Sequence, residues 1–199
     1  MKTINLPAGS RGIDTIQKLN AYHCMWLKEN GFDFVIRYMV SLSVEERDII
    51  LAHGLALGLC TYAHSFDPQD ELDAIKRLQV PTGTDIFLDV EDDKLDAAAL
   101  TRRINLWAGR IKGAGCNPGE YVGSGNPHTS KELYALAVSR YWKACSRTVD
   151  VNGNEAAPVC GWVLIQLFPP NIKLECGLVV DIDTLQHDYR GRQVAFIGA

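Results

Sequence analysis

The chain has 199 residues, 20 of them Lys or Arg against 24 Asp or Glu, giving a net charge of −4 and a pI near 5.7. That balance offers no footprint for duplex DNA or an anionic membrane. With 47% hydrophobic and 22% charged residues, it is globular rather than disordered, collagen-like or coiled-coil, and its length suits a single domain spanning 1–199. No run approaches the roughly 20 apolar residues of a membrane span, and residues 1–10 lack the apolar stretch of a secretory signal. The expectation is a monomer made in the cytoplasm, with neither nucleic acid nor membrane insertion among its partners.

Short apolar runs alternate with helical patterns from the start, the signature of β-α units on a mostly parallel sheet. Gly12-Ile13-Asp14 reads as a first strand, followed by a helix carrying Ile16, Leu19, His23 and Trp26 on one face. A strand is predicted over 32–40. Ser43-Val44-Glu45-Glu46 fits a capping box, and its helix should stop near His53-Gly54. The run 55–62 is apolar enough for a strand buried on both faces, and Asp67-Pro68 opens the next helix. A fourth strand over 85–91 precedes a helix that reaches about Gly113, capped by Asp92 or Asp93, with Leu100, Ile104, Trp107 and Ile111 in a stripe. Strands are predicted at 120–123, 140–144, 162–168 and 178–182, a short helix at 131–138 and a turn-rich insert at 150–158.

Eight strands with helices mainly in the first two thirds indicate an α/β fold, an irregular (β/α) TIM-like barrel with reduced helices on one side. An open doubly wound sheet is the runner-up, but no G-x-G-x-x-G follows the first strand, so a dinucleotide site has no support. The six cysteines (24, 60, 116, 145, 160 and 176) include no C-x-x-C pair, which excludes a zinc ribbon. Cys24 and Cys60 read as buried thiols, and the last three leave one disulfide open with no pairing singled out. No cofactor and no metal are implied, because no H-x-H or H-E-x-x-H pairing accompanies the acids.

The polar residues at the strand ends are nearly all acidic. Asp14 closes the first strand, Asp89 and Glu91 the fourth, Asp181 and Asp183 the last. Alternation sends Asp89 and Glu91 to one face, with Leu88 and Val90 on the other. Barrel closure would bring Asp14 beside Asp181, gathering up to five carboxylates in one cleft. Like charges that close cannot all ionise, so at least one is expected to hold its proton near neutrality. Each also has a bland reading: Asp14 can cap a helix, and Asp183 can start a turn.

The ordered segments Gly12-Ile13-Asp14, Phe34-Val35-Ile36-Arg37-Tyr38, Gly58-Leu59-Cys60-Thr61-Tyr62, Phe87-Leu88-Asp89-Val90-Glu91 and Val180-Asp181-Ile182-Asp183 resemble the lysozymes of glycoside hydrolase family 25. They are closer still to a sister group, the glycoside-hydrolase-like domains of bacterial and phage proteins. The resemblance implies a flattened barrel that cleaves the β-1,4 bond between N-acetylmuramic acid and N-acetylglucosamine, with peptidoglycan glycan strands as partner after release or export to the cell wall. It implies Glu91 as general acid, Asp89 as its carboxylate partner, and Asp14 and Asp181 as further catalytic acids. Tyr62, Asp183, Gln166, Arg37 and Tyr121 would contact substrate, and Trp142 is a further aromatic candidate. His64 stands two residues after Tyr62 rather than adjacent to it. The rival readings are a catalytically silent glycan-binding or particle-structural domain and a metal-dependent hydrolase on the same carboxylates.

Overall fold

The structure is a computed structural model and describes residues 1–63, 68–91, 95–147 and 160–199. Its strands and helices follow one another as β1 (Lys2–Asn5), β2 (Arg11–Asp14), α1 (Ala21–Glu29), β3 (Phe34–Tyr38), α2 (Val44–Ala52), β4 (Ala56–Tyr62), α3 (Pro68–Arg77), β5 (Asp85–Val90), α4 (Ala97–Gly113), β6 (Asn117–Val122), α5 (Ser130–Ala135), β7 (Arg140–Lys143), β8 (Leu164–Gln166), β9 (Ile172–Lys173), β10 (Val179–Leu185) and β11 (Ala195–Gly198).

Eight of the strands close into a barrel in the order β4-β3-β2-β10-β8-β7-β6-β5, with β5 returning to pair β4. Pairings from β2 round to β8 through β3, β4, β5, β6 and β7 are parallel. Strand β10 is antiparallel to both its neighbours, β2 and β8. The fold is the irregular TIM-like barrel expected from the alternation. Helices of 9 to 17 residues follow β2, β3, β4 and β5, whereas α5 has only 6. The antiparallel pair β1 and β11, invisible as β-α pattern, attaches to β4 through Ile197 and Leu57.

Strand alternation separates two apolar layers. Ile13, Val35, Leu57, Leu59, Ile86, Leu88 and Val90 pack outward with Leu100, Ile104 and Trp107 of α4. Phe34, Ile36, Cys60, Phe87, Tyr121, Trp142 and Leu164 fill the lumen, joined by Phe196 of β11. The lumen is therefore a packed core, with polar side chains at its mouth and with Asp85 and Arg140 paired at its other end.

Local chemistry explains where the helices differ from expectation. Helix α1 begins at Ala21, because Asn20 accepts the His23 amide at 2.9 Å and is returned a bond by the His23 ring; Asp14 is thus the end of a strand, and Ile16 lies outside the helix, 70% exposed. Ser43 caps α2 as expected, taking the Glu46 amide at 3.1 Å. The reciprocal arm is absent, since the Glu46 carboxylate instead accepts from the Leu19 amide and from Arg37 Nε, both at 2.9 Å. Helix α4 is capped by Asp96. The predicted Asp67, Asp92 and Asp93 caps, His64 and the 150–158 insert lie outside the described residues. All six cysteines are free thiols.

Candidate functional site

Asp14 is the last residue of β2, and the antiparallel register sets Asp181 directly opposite it. Two residues on, Asp183 pairs with Gly12 and sits deeper in the lumen, fully buried. The sequence pattern implied that Asp181 and Asp183 close a strand parallel to the rest. Because β10 runs the other way, they lie toward its beginning and middle, and the period of two still sends both inward.

Gln166, opposite Asp183 on β8, ties the acids together. Its amide nitrogen donates to Asp14 Oδ2 at 3.2 Å and to Asp181 Oδ2 at 2.9 Å. Its carbonyl accepts from the Tyr121 hydroxyl and the Cys145 amide, both at 3.0 Å. With both donors on the carbonyl, the NH2 end can only face the carboxylates, so its orientation is fixed. Trp142 Nε1 donates to Asp183 Oδ1 at 2.9 Å, and the Asn171 amide donates to Asp181 Oδ1. The Asp14 and Asp183 carboxyl groups meet each other.

Across the mouth, Tyr38 donates to Asp89 Oδ2 at 2.7 Å and stacks on Tyr62 with centroids 4.0 Å apart. Leu88 and Val90 are buried in the outer layer, so Asp89 takes the lumen face as its spacing requires. Glu91 follows directly after β5, half-buried against Gly123, where a Cβ would stand 2.6 Å from the Glu91 side chain. Gly123 is the residue that makes room for it.

Of the sequence candidates, Asp14, Asp181, Asp183 and Gln166 form one hydrogen-bonded cluster. Asp89 and Tyr62 share a second group organised by Tyr38. Tyr121 and Trp142 are 6% and 3% exposed, so they orient Gln166 and Asp183 from within the core rather than offering open ring faces. Arg37 does not join. It has the opposite strand parity to Tyr38, is 1% exposed, and binds Glu46 and the Thr15 carbonyl behind the barrel wall. Sequence reasoning gave Tyr38 no site role, although its parity with Phe34 and Ile36 was enough to aim it inward.

Burial and the neighbouring Asp181 charge push the Asp14 carboxyl up to about 7. Burial, with the Asp14 charge second, holds Asp183 well above the carboxylate range. Asp14 thus titrates near neutrality beside a carboxyl that burial makes harder to ionise, the kind of separation that acid–base chemistry uses. A cleft of about 300 Å³ opens on Asp14 and Asp181, lined also by Ile16, Tyr38, Asn171 and Val179, while Asp183 is buried and does not reach it. Among the described residues, no group of three or more His, Cys, Asp or Glu is arranged to hold a metal ion.

No family model matches the sequence and no curated protein matches it. The fold is similar to that of an uncharacterised protein from B. stearothermophilus, with a TM-score of 0.67 and 19% identity over 89% of this chain and 96% of the other. It is also similar to a sugar phosphate isomerase/epimerase from Parabacteroides distasonis, with a TM-score of 0.52 and 11% identity over 70% of this chain and 66% of the other. The likeness in each case is one of fold.

These neighbours correct the reading drawn from motif order. The fold neighbour that carries a functional name is a sugar phosphate isomerase/epimerase where a family 25 lysozyme was expected, so the assignment as a glycosidase, muramidase, lysozyme or endolysin is withdrawn, together with peptidoglycan strands as the partner. The alternative of a silent glycan-binding or particle-structural domain gains no support either. The physical reason is that the ordered motifs are the barrel's own strand ends. Apolar residues facing helices, alternating with acids facing the mouth, report a closed barrel with an acidic rim and not the bond it acts on.

Proposed function

We propose that the barrel mouth binds a small sugar-like substrate and moves protons on it, as an isomerase or epimerase of hydroxylated carbonyl compounds. The observation that supports this reading is Asp14, poised at about 7 beside the buried Asp183 and held by Gln166. A carboxyl group that titrates near neutrality can both take and return a proton at working pH.

In aldose–ketose interconversion, Asp14 would take the proton from C2 and return it to C1, while the hydroxyl proton passes from O2 to O1. Nothing is oxidised or reduced beyond the substrate itself. Asp14 and Asp181 line the cleft where the two substrate oxygens would sit, with the Gln166 amide 2.9 Å behind Asp181. Tyr38, held by its stack on Tyr62, lines the same cleft and offers a surface suited to the apolar face of a sugar ring. The Parabacteroides distasonis protein, named a sugar phosphate isomerase/epimerase, makes this chemistry at home on such a barrel.

The test is to incubate the protein in D2O with a panel of aldoses, ketoses and their phosphate esters, following C–H signals by proton NMR. Deuterium incorporation or interconversion is expected, with a limb near pH 7, and should be lost in Asp14→Asn. A panel with no exchange, or an Asp14→Asn variant as active as the parent, refutes the reading.

A further inference from the structure

The second polar cavity lies at the far end of the barrel. It encloses about 240 Å³ and is lined by Tyr134, Val138, Tyr141, Cys160, Arg190 and Arg192. Its position follows from the strands: Tyr141 is the second residue of β7, whose first residue, Arg140, lies 3.4 Å from Asp85 at the start of β5. Asp89, at the other end of β5, marks the acidic mouth. The two sites are at opposite ends.

We infer that this cavity is a binding site for a phosphate-sized oxyanion. Two arginines are brought into one pocket by a turn built to hold them. Asp188, 5% exposed, spends Oδ1 on the Arg190 and Arg192 amides, at 2.9 and 2.8 Å, and Oδ2 on Arg192 Nε at 2.6 Å. Gly191, at φ 73°, lets the chain reverse between them.

The charges around the pocket do not cancel. Arg140 is matched by Asp85 and Arg192 by Asp188, but Arg190 has no carboxylate partner among the described residues. Its guanidinium instead packs over the Tyr134 ring, 5.3 Å from the centroid, and donates to the Tyr134 hydroxyl. That contact orders the side chain while leaving most of its five N–H donors unspent. The Tyr141 hydroxyl donates to the Leu133 carbonyl, which fixes the ring on the pocket wall. A pre-ordered guanidinium fork, with a second one fixed beside it and a net positive charge, is what recognition of a tetrahedral oxyanion requires.

Inorganic phosphate is the probe, titrated calorimetrically at constant ionic strength into the whole chain. One saturable site is expected. Arg190→Gln should weaken it about tenfold or more, the scale of a charge-assisted bond. Arg190→Lys, which keeps charge but loses the fork, should fall between. Lys131→Gln, on the exposed face of α5 nearby, should bind as the parent does. Arg190 is exposed, so its variants are expected to melt with the parent, which circular dichroism checks. Acetate and chloride arms distinguish a phosphate site from general anion attraction. No saturable heat, equal binding by Arg190→Gln, or equal loss in Lys131→Gln overturns the inference. The result is independent of the chemistry at the mouth.

Discussion

Replacing Asp14 by Asn should make the protein more stable at pH 8 and no more stable at pH 4. In the folded chain the Asp14 carboxyl titrates at about 7 against an ordinary 3.8, first through burial and then through the charge of Asp181. Between those values the folded state holds a proton that the unfolded chain has released. Stability therefore falls as pH rises from about 4 to about 7, and the loss persists above. About three pH units at about 1.4 kcal/mol each would amount to about 4 kcal/mol. Asp14 retains contact with the open cleft and shares its burden with Asp183, so about half of that, near 2 kcal/mol, is the expected gain for Asn. In a chain of this length that is roughly 4–8 °C in melting temperature. Asn keeps an oxygen for the Gln166 amide, so the hydrogen bond survives. The measurement is the difference in melting temperature and urea midpoint between variant and parent at pH 4, 6 and 8. A gain independent of pH, or no gain at pH 8, would show that Asp14 is not a strained acid and would remove the support for its role as a base.

The same linkage applies to Glu120, which is fully buried, accepts from Asn126 at 2.8 Å and is pushed up to about 8 mainly by burial. Glu120→Gln should gain on the parent progressively between about pH 4.5 and 8 and level off above, read from urea unfolding at a series of pH values; a parallel pair of pH curves would contradict this. In the lumen, a Cβ on Gly119 would stand 2.6 Å from the Phe87 ring. Gly119→Ala should cost about 1–3 kcal/mol through overpacking, and a loss below about 0.5 kcal/mol in urea unfolding would mean the lumen is looser than it looks.

The barrel was legible because its strands and helices obey local rules. The apolar run ending at Tyr62, the Ser43 cap and the α4 stripe each report an element without reference to anything distant. The gathering of Asp14, Asp181 and Asp183 was also legible, since strand parity survives reversal of direction. What depended on distant partners was not. Glu46 has the spacing of a capping-box residue, yet it turns to Arg37, nine residues back in sequence, because a buried guanidinium needs a charged partner more than an amide at a helix end does. Tyr121 and Trp142 read as candidate sugar platforms. Only the lumen packing shows that their donors are committed to Gln166 and Asp183. The chemistry itself was least legible, because acidic strand ends are common to barrels that act on different bonds.

Strand parity explains how the carboxyl pair can exist. In a fully parallel barrel, each strand exposes its last one or two inward residues at the mouth, and the next inward residue is packed in the layer below. Strand β10 enters from the mouth instead, so Asp181 meets the cleft first and Asp183 follows one layer down, under Asp14 and over the Trp142 indole. Burial raises the lower acid well above its ordinary value, and burial with the Asp181 charge raises Asp14 to about 7. An Asp-x-Asp pair ending a parallel strand would place its second acid at the rim and its first one layer down, so the reversal changes which of the two residues is buried and not the pairing itself. The pairing of a rim acid with a buried one therefore rests on the period of two and on the depth of the lower layer, whichever way the strand runs.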